Sequence, residues 1–204
     1  SVGEGSLFLS LVLTMLACLV LGMGIPTIPN YIITASLAAP ALLQLGVPLI
    51  VSHMFVFYFG IMADLTPPVA LAAFAASSIA KESGLKIGIN CMRIAIAGFV
   101  VPFMAVYTPA LMLQDGGPLA QEIGYIPAVA YIILKALIAI ALWGAASIGF
   151  LIAPMNWLER IFAAAGAFLL VVALPITDEA GFVLSALVFV YHWRRTRTAH
   201  RAAA

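Results

Sequence analysis

The sequence predicts an all-α polytopic membrane protein, and three observations carry that prediction. The 204 residues are 65% hydrophobic and only 8% charged, with mean hydropathy +1.18, whereas a soluble domain carries about 25% charged residues. The apolar residues fall in runs long enough for membrane helices and half-helices. Two of these runs are interrupted by Gly/Pro clusters, at 21–30 and 63–68.

In chain order, Leu7 to Leu21 is apolar apart from Ser10 and Thr14, and Tyr31 to Leu45 is apolar with a few small hydroxyls. Between them lies Leu21-Gly22-Met23-Gly24-Ile25-Pro26-Thr27-Ile28-Pro29-Asn30. Each arm has about fifteen residues, fewer than the ~20 a helix needs to cross a ~30 Å hydrocarbon core. Two short arms around such a tip predict a re-entrant hairpin over 7–45; one long helix kinked at Pro26 and Pro29 is the alternative. A tip of this kind leaves backbone groups unpaired at membrane depth, which is tolerated beside protein or water. Exposed carbonyls there suit a coupling cation, and half-helix ends supply the field.

Gly46-Val47-Pro48 ends the hairpin with a turn signal. Leu49 to Met62 reads as a half-length helix running into Ala63-Asp64-Leu65-Thr66-Pro67-Pro68. Two successive prolines remove donors and clash with the preceding turn, so the helix breaks and resumes at Val69 to Ala80. The two halves make one discontinuous span over 49–80. Lys81 to Lys86 is a hydrophilic loop. A span follows from Ile89 to Leu113, with Pro102 and Pro109 inside it, and then an acidic loop from Gln114 to Glu122.

Tyr125 to Leu151 is a further span carrying Lys135, and Ala153 to Arg160 is an interfacial connection with Trp157 at headgroup level. Ile161 to Ile176 and Gly181 to Trp193 are shorter apolar runs separated by a Thr177-Asp178-Glu179 loop. Arg194, Arg195, Arg197, His200 and Arg201 form a basic tail. The expected domains are 1–80, a transport-domain half; 81–124, the following helix and loops; and 125–204, accessory helices. With the Arg-rich tail in the cytoplasm, Arg160, Lys81, Lys86 and Arg93 fall on the same side, and the hairpin dips in from the opposite face.

Several functions are excluded or disfavoured. A net charge of +1 argues against nucleic-acid binding. Cys18 and Cys91 sit in apolar runs as small hydrophobes and imply no disulfide or metal framework. Ser1 to Ser6 has no basic signal-peptide region; with no initiating Met, the chain reads as the C-terminal piece of something longer. No metalloprotease or serine-hydrolase motif occurs, and no P-loop supplies ATP. Not an enzyme, and no cofactor, is the expectation.

Leu21 to Thr27, Tyr31 to Ala35, Phe57-Tyr58-Phe59-Gly60 and Leu65 to Phe74 together resemble the second half of the large, DctM-like membrane subunit of a TRAP (tripartite ATP-independent periplasmic) transporter. Gly-Met-Gly-Ile-Pro-Thr, with Val101-Pro102-Phe103 and Tyr107 to Leu111, is most similar to the fused permeases that work with TAXI-type binding proteins. The likeness covers about residues 7–115. It implies a sodium-driven elevator transporter for small organic anions in the bacterial inner membrane, supplied by a periplasmic binding protein and completed by an N-terminal repeat and a small membrane subunit or region. Gly22, Met23, Gly24, Ile25, Pro26 and Thr27 match the second hairpin tip; Asp64, Leu65, Thr66, Pro67 and Pro68 match the second helix break. Carbonyls near Gly22–Gly24 and Asp64–Leu65 are the implied sodium ligands, joined by the Thr27 and Thr66 hydroxyls.

Each residue also has a plainer reading. Asp64 is an ionisable group within an apolar run, by default functional, yet Asp also caps helices. His53 reads as a packing residue, and Met23 as contact surface. Lys135 reads as structural, paired with a carboxylate in a part of the protein outside this chain or snorkelling toward an interface. The terminal arginines fix topology and touch anionic lipid. A channel of the same broken-helix type, or a proton-coupled carrier, is the competing function.

Overall fold

The computed structural model describes residues 2–172 and 175–203, and every extended element among them is a helix. The chain divides into two units, 1–117 and 118–204.

The first unit opens with α1 (Val2–Leu21) and α2 (Thr27–Gln44), joined by the Gly/Pro tip. The arms are 20 and 18 residues long, longer than the apolar runs suggested, because the helical backbone of α1 begins at Val2 and that of α2 at Thr27. Pro26 stands just before α2 and Pro29 in its first turn, where the missing N–H is one that no helix bonds internally. The prolines therefore start a helix here. The turn that closes α2 is made at Gly46, whose φ of +83° is open to glycine, and the Val47 N–H returns to the Leu42 carbonyl.

Pro48 then precedes α3 (Leu49–Met62), and the chain runs through turns before α4 (Leu71–Ala80). The Pro67–Pro68 bond is cis. The second half-helix starts at Leu71, two residues after the expected start at Val69. Ser83 caps α5 (Gly84–Ile94), accepting from the Lys86 N–H. At the same turn the Glu82 carboxyl is held below its usual range, first by Lys86 and then by the Ser83 N–H. After a one-residue interruption at Ala95 comes α6 (Ile96–Tyr107). The span accordingly runs over 84–107 and not 89–113; Pro109 opens a separate 3-10 turn, Pro109–Met112. The core of this unit is an aromatic stack of Phe55, Phe59, Phe99 and Phe103 with Leu11, Cys18, Leu42 and Val56 around it. Leu9, Leu13, Leu16, Ile28, Ile32 and Leu37 face outward, as an apolar solvent requires.

The second unit opens with the short α7 (Gly117–Ile123) and continues with α8 (Tyr125–Ile148), α9 (Trp157–Val171) and α10 (Pro175–Ala203). Alanines 139, 145, 146, 163 and 167 are buried between the helices, and a Cβ on Gly181 would lie 2.8 Å from the Leu170 side chain. Small residues let the backbones approach closely. Thr177, Asp178 and Glu179, expected as a loop, lie within the first turn and a half of α10, where a negative charge is favoured by the helix dipole. Ala173 and Leu174 lie outside the described residues, as do the side chains of His200 and Arg201.

Candidate functional site

The hairpin tip and the helix break meet at one glycine. α1 and α3 run side by side, and both end at the same level. A Cβ placed on Gly22 would stand 2.7 Å from the Gly60 carbonyl oxygen and 2.8 Å from both Ala63 Cβ and Asn30 Nδ2. Only glycine permits that approach. Two helix C-termini, each carrying partial negative charge, are thereby brought to one place.

Asn30 fastens the junction. The Asp64 N–H turns to Ile61, which frees the Gly60 carbonyl, and Asn30 Nδ2 donates to it at 2.8 Å. Asn30 is only 3% exposed, and its Oδ1 is the buried side-chain oxygen left without a hydrogen-bond partner among the described residues. A buried acceptor without a donor is costly. Sequence reasoning missed Asn30 as a site residue, although a carboxamide one turn past a Gly/Pro tip in an apolar run is a visible signal.

The other tip residues spread out from this point. Gly22 is buried, Met23 and Ile25 are half-buried, and Gly24, Pro26 and Thr27 are exposed. Gly24 has a φ of +79° and open space around it. Among the described residues no backbone N–H donates to the carbonyls of Gly22, Met23, Gly24 or Ile25. At the break, the Asp64 carbonyl accepts from the Ala72 N–H at 3.2 Å, while that of Leu65 takes no donor among the described residues. The Asp64 carboxylate is half-buried and caps nothing: no side chain caps α4, so its main chain does the work expected of its side chain. Thr66 Oγ1 donates to the Met62 carbonyl at 2.7 Å, leaving its lone pairs available. Pro67 packs on Gly88 of α5, Pro68 is exposed, and His53 Nδ1 pairs with the Tyr31 hydroxyl at 2.9 Å. The structure therefore sets Gly22 against Ala63, and places Gly24 and Thr27 on the exposed side of the tip.

The second unit holds charges of a different kind. Lys135 Nζ bonds both oxygens of Asp178, at 2.8 and 2.9 Å, and Tyr131 donates to the same carboxylate at 3.1 Å. The carboxylate expected for Lys135 outside this chain is instead Asp178, one turn into α10. His192, next to the basic tail at the end of the last apolar run, is fully buried. Its Nε2 faces the backbone N–H groups of Ile152 and Ala153 at 3.4 and 3.3 Å, and its Nδ1 faces Glu159 Oε1 at 3.3 Å. Glu159 Oε2 also accepts from the Asn156 N–H at 2.7 Å and from Arg195 at 3.1 Å.

An all-helical protein whose glycine/proline hairpin tip abuts the end of an interrupted helix, with outward apolar faces, has the architecture of a membrane permease. Residues 1–119 match the family described as tripartite ATP-independent periplasmic transporter, DctM component. The chain belongs to that family. It is an integral-membrane family of transporters, not of enzymes, whose members generally work with a periplasmic binding protein and a small membrane subunit. The match covers the first unit and stops two residues into the second. No curated protein and no solved structure matches the chain.

Proposed function

We propose that this chain is the second-repeat half of a sodium-coupled TRAP permease that imports small organic anions, carboxylates above all, by an elevator movement. The observation that carries the reading is the convergence of the α1 and α3 C-termini on Gly22, with the unbonded Asn30 Oδ1 beside them. Carbonyl and carboxamide oxygens without donors, in the negative field of two helix ends, suit a hard alkali cation and need no formal charge. Gly22, Met23, Gly24, Asp64, Leu65 and Thr66 supply or frame those oxygens, with Thr27 closing in from α2 when the tip moves. The positive N-terminal ends of α2 and α4 are where an anionic substrate gains most.

Re-entrance of 7–45 rests on the unpaired carbonyls at the tip and on its level with the break, not on arm length. The partner repeat comes from N-terminal sequence, and the Gly-Met-Gly-Ile-Pro-Thr wording favours a TAXI-type binding protein. The expected division into 1–80, 81–124 and 125–204 and the inner-membrane location with a cytoplasmic C-terminus belong to the same proposal.

The test is uptake by the full-length protein in proteoliposomes with its binding protein, with and without an inward sodium gradient. Sodium-dependent accumulation, with a raised sodium requirement in Thr66→Val, supports the proposal. Accumulation indifferent to sodium favours a proton-coupled carrier. The observation behind that second reading is the Asp64 carboxylate, which has no side-chain partner among the described residues. Downhill flux without a binding protein makes it a channel.

A further inference from the structure

The turn that joins α8 to α9 is closed by a histidine from α10. Within the turn, the Leu151 N–H donates to the Ala153 carbonyl at 3.3 Å and the Met155 N–H to that of Gly149 at 2.8 Å. The Ile152 and Ala153 N–H groups find no backbone acceptor among the described residues. Both point instead at His192 Nε2, at 3.4 and 3.3 Å, and that ring is fully buried. A nitrogen that accepts two N–H groups must keep its lone pair, so the closed turn requires the neutral ring.

A second proton has no place in this arrangement. It would sit on Nε2 and point at two donors, while Nδ1 already faces Glu159 Oε1 at 3.3 Å. The charged groups around the ring do not offset that. Glu159 is bonded by Arg195 at 3.1 Å and by the Asn156 N–H at 2.7 Å, so its charge is largely balanced. Arg160, next on α9, reaches the Ala146 and Ser147 carbonyls. Arg194 is two positions from His192, about 200° round α10. The turn carries no charged residue, and Lys135, the one on α8, is bound to Asp178. When the turn opens, by contrast, the ring meets water and can hold a proton on both nitrogens. Protons therefore favour the open turn. The closed form holds above the range in which a free imidazole titrates, and it is lost as pH falls through that range.

We propose that His192 is an acid-released latch, in which protonation of its ring frees the turn between α8 and α9. The turn loosens without parting the helices, which stay packed through Ala139, Ala146, Ala163 and Ala167. The latch thus makes the joint between α8 and the α9/α10 pair responsive to acidity at the end of the unit that carries the basic tail. It rests on the second unit alone and stands whether or not sodium drives transport.

The test is amide hydrogen exchange of the full-length protein in detergent from about pH 8 to 5, with protection taken relative to the intrinsic rate at each pH. Protection of the Ile152 and Ala153 amides should be constant above about pH 7 and fall about tenfold between pH 6 and 5, the linkage of one proton. In His192→Gln, whose acceptor does not titrate, the same amides should show protection independent of pH. Imidazole nitrogen shifts of the wild type give a second readout that needs no variant. The ring should pass from a single Nδ1–H tautomer to the doubly protonated form over the range in which protection falls. Flat protection in the wild type, an equal acid response in His192→Gln, or a ring that charges while both amides stay protected each overturns the inference.

Discussion

Asn30 and Gly60 are joined across thirty residues by one hydrogen bond, from the Asn30 carboxamide to the carbonyl that the last turn of α3 leaves free. Removing the donor strands a buried carbonyl, at a cost of roughly 1–3 kcal/mol. Asn30→Ala should therefore lower thermal stability in detergent by that amount. It should also raise the sodium concentration for half-maximal uptake, because the Oδ1 ligand goes with it. Asn30→Asp keeps a side-chain oxygen but loses the donor, so it should keep more of its sodium affinity than of its stability. Equal sodium requirements in wild type and Asn30→Ala would remove Asn30 from the proposed site.

The two tip glycines differ in what they tolerate. Gly22→Ala forces a methyl to within 2.7 Å of a backbone oxygen, and backbone cannot move aside as a side-chain end can. A loss of about 1–3 kcal/mol and a displaced tip follow. Gly24→Ala meets no neighbour, so its cost is that of the left-handed backbone alone, roughly 1–2 kcal/mol. Uptake assays with thermal unfolding distinguish them: Gly22→Ala should lose transport in large part, Gly24→Ala should retain most of it. Equal losses would mean that the Gly22–Gly60 contact does not organise the tip.

What was legible in the sequence were the places where the backbone is constrained. Gly22 to Pro29 and Pro67-Pro68 announce their interruptions because glycine and proline act through φ and the missing N–H, wherever the chain sits. Pairings made only in three dimensions were not legible. Lys135 shows no partner within a helical turn, and its carboxylate lies 43 residues on. Asp178 sits in a charged triplet that reads as a loop, yet it is helical because the first turn of a helix favours acidic residues. His192 stands two residues before the basic tail, and no local pattern reveals that the face it occupies is the one packed on α9. Asn30 was part of the stretch that organises the chain, but its role depends on the Gly60 carbonyl being free, which no local pattern reveals.

The Lys135–Asp178 pair should behave as a unit. Both side chains are nearly buried, at 5% and 12% exposure. Lys135→Met alone leaves a carboxylate with only Tyr131 for a partner and should cost about 3–5 kcal/mol, as should Asp178→Leu. The double variant removes both charges and should recover most of the loss. A double-mutant cycle on thermal unfolding measures this coupling. Additive losses would mean that the two residues act separately.

His192 fixes the turn between α8 and α9, and the geometry dictates its tautomer. Two backbone N–H groups point at Nε2, so that nitrogen must carry the lone pair, and Nδ1–H then donates to Glu159. Replacing the ring by Phe keeps its volume but strands the Ile152 and Ala153 N–H groups and one Glu159 oxygen. Stability should fall by roughly 1–3 kcal/mol for such unsatisfied groups. His192→Gln keeps an acceptor for the turn and should lose less. Amide hydrogen exchange separates packing from hydrogen bonding. The Ile152 and Ala153 amides should exchange slowly in the wild type, faster in His192→Phe, and at an intermediate rate in His192→Gln. If His192→Phe leaves both amides protected, ring volume alone holds the turn and the hydrogen bonds are incidental to it.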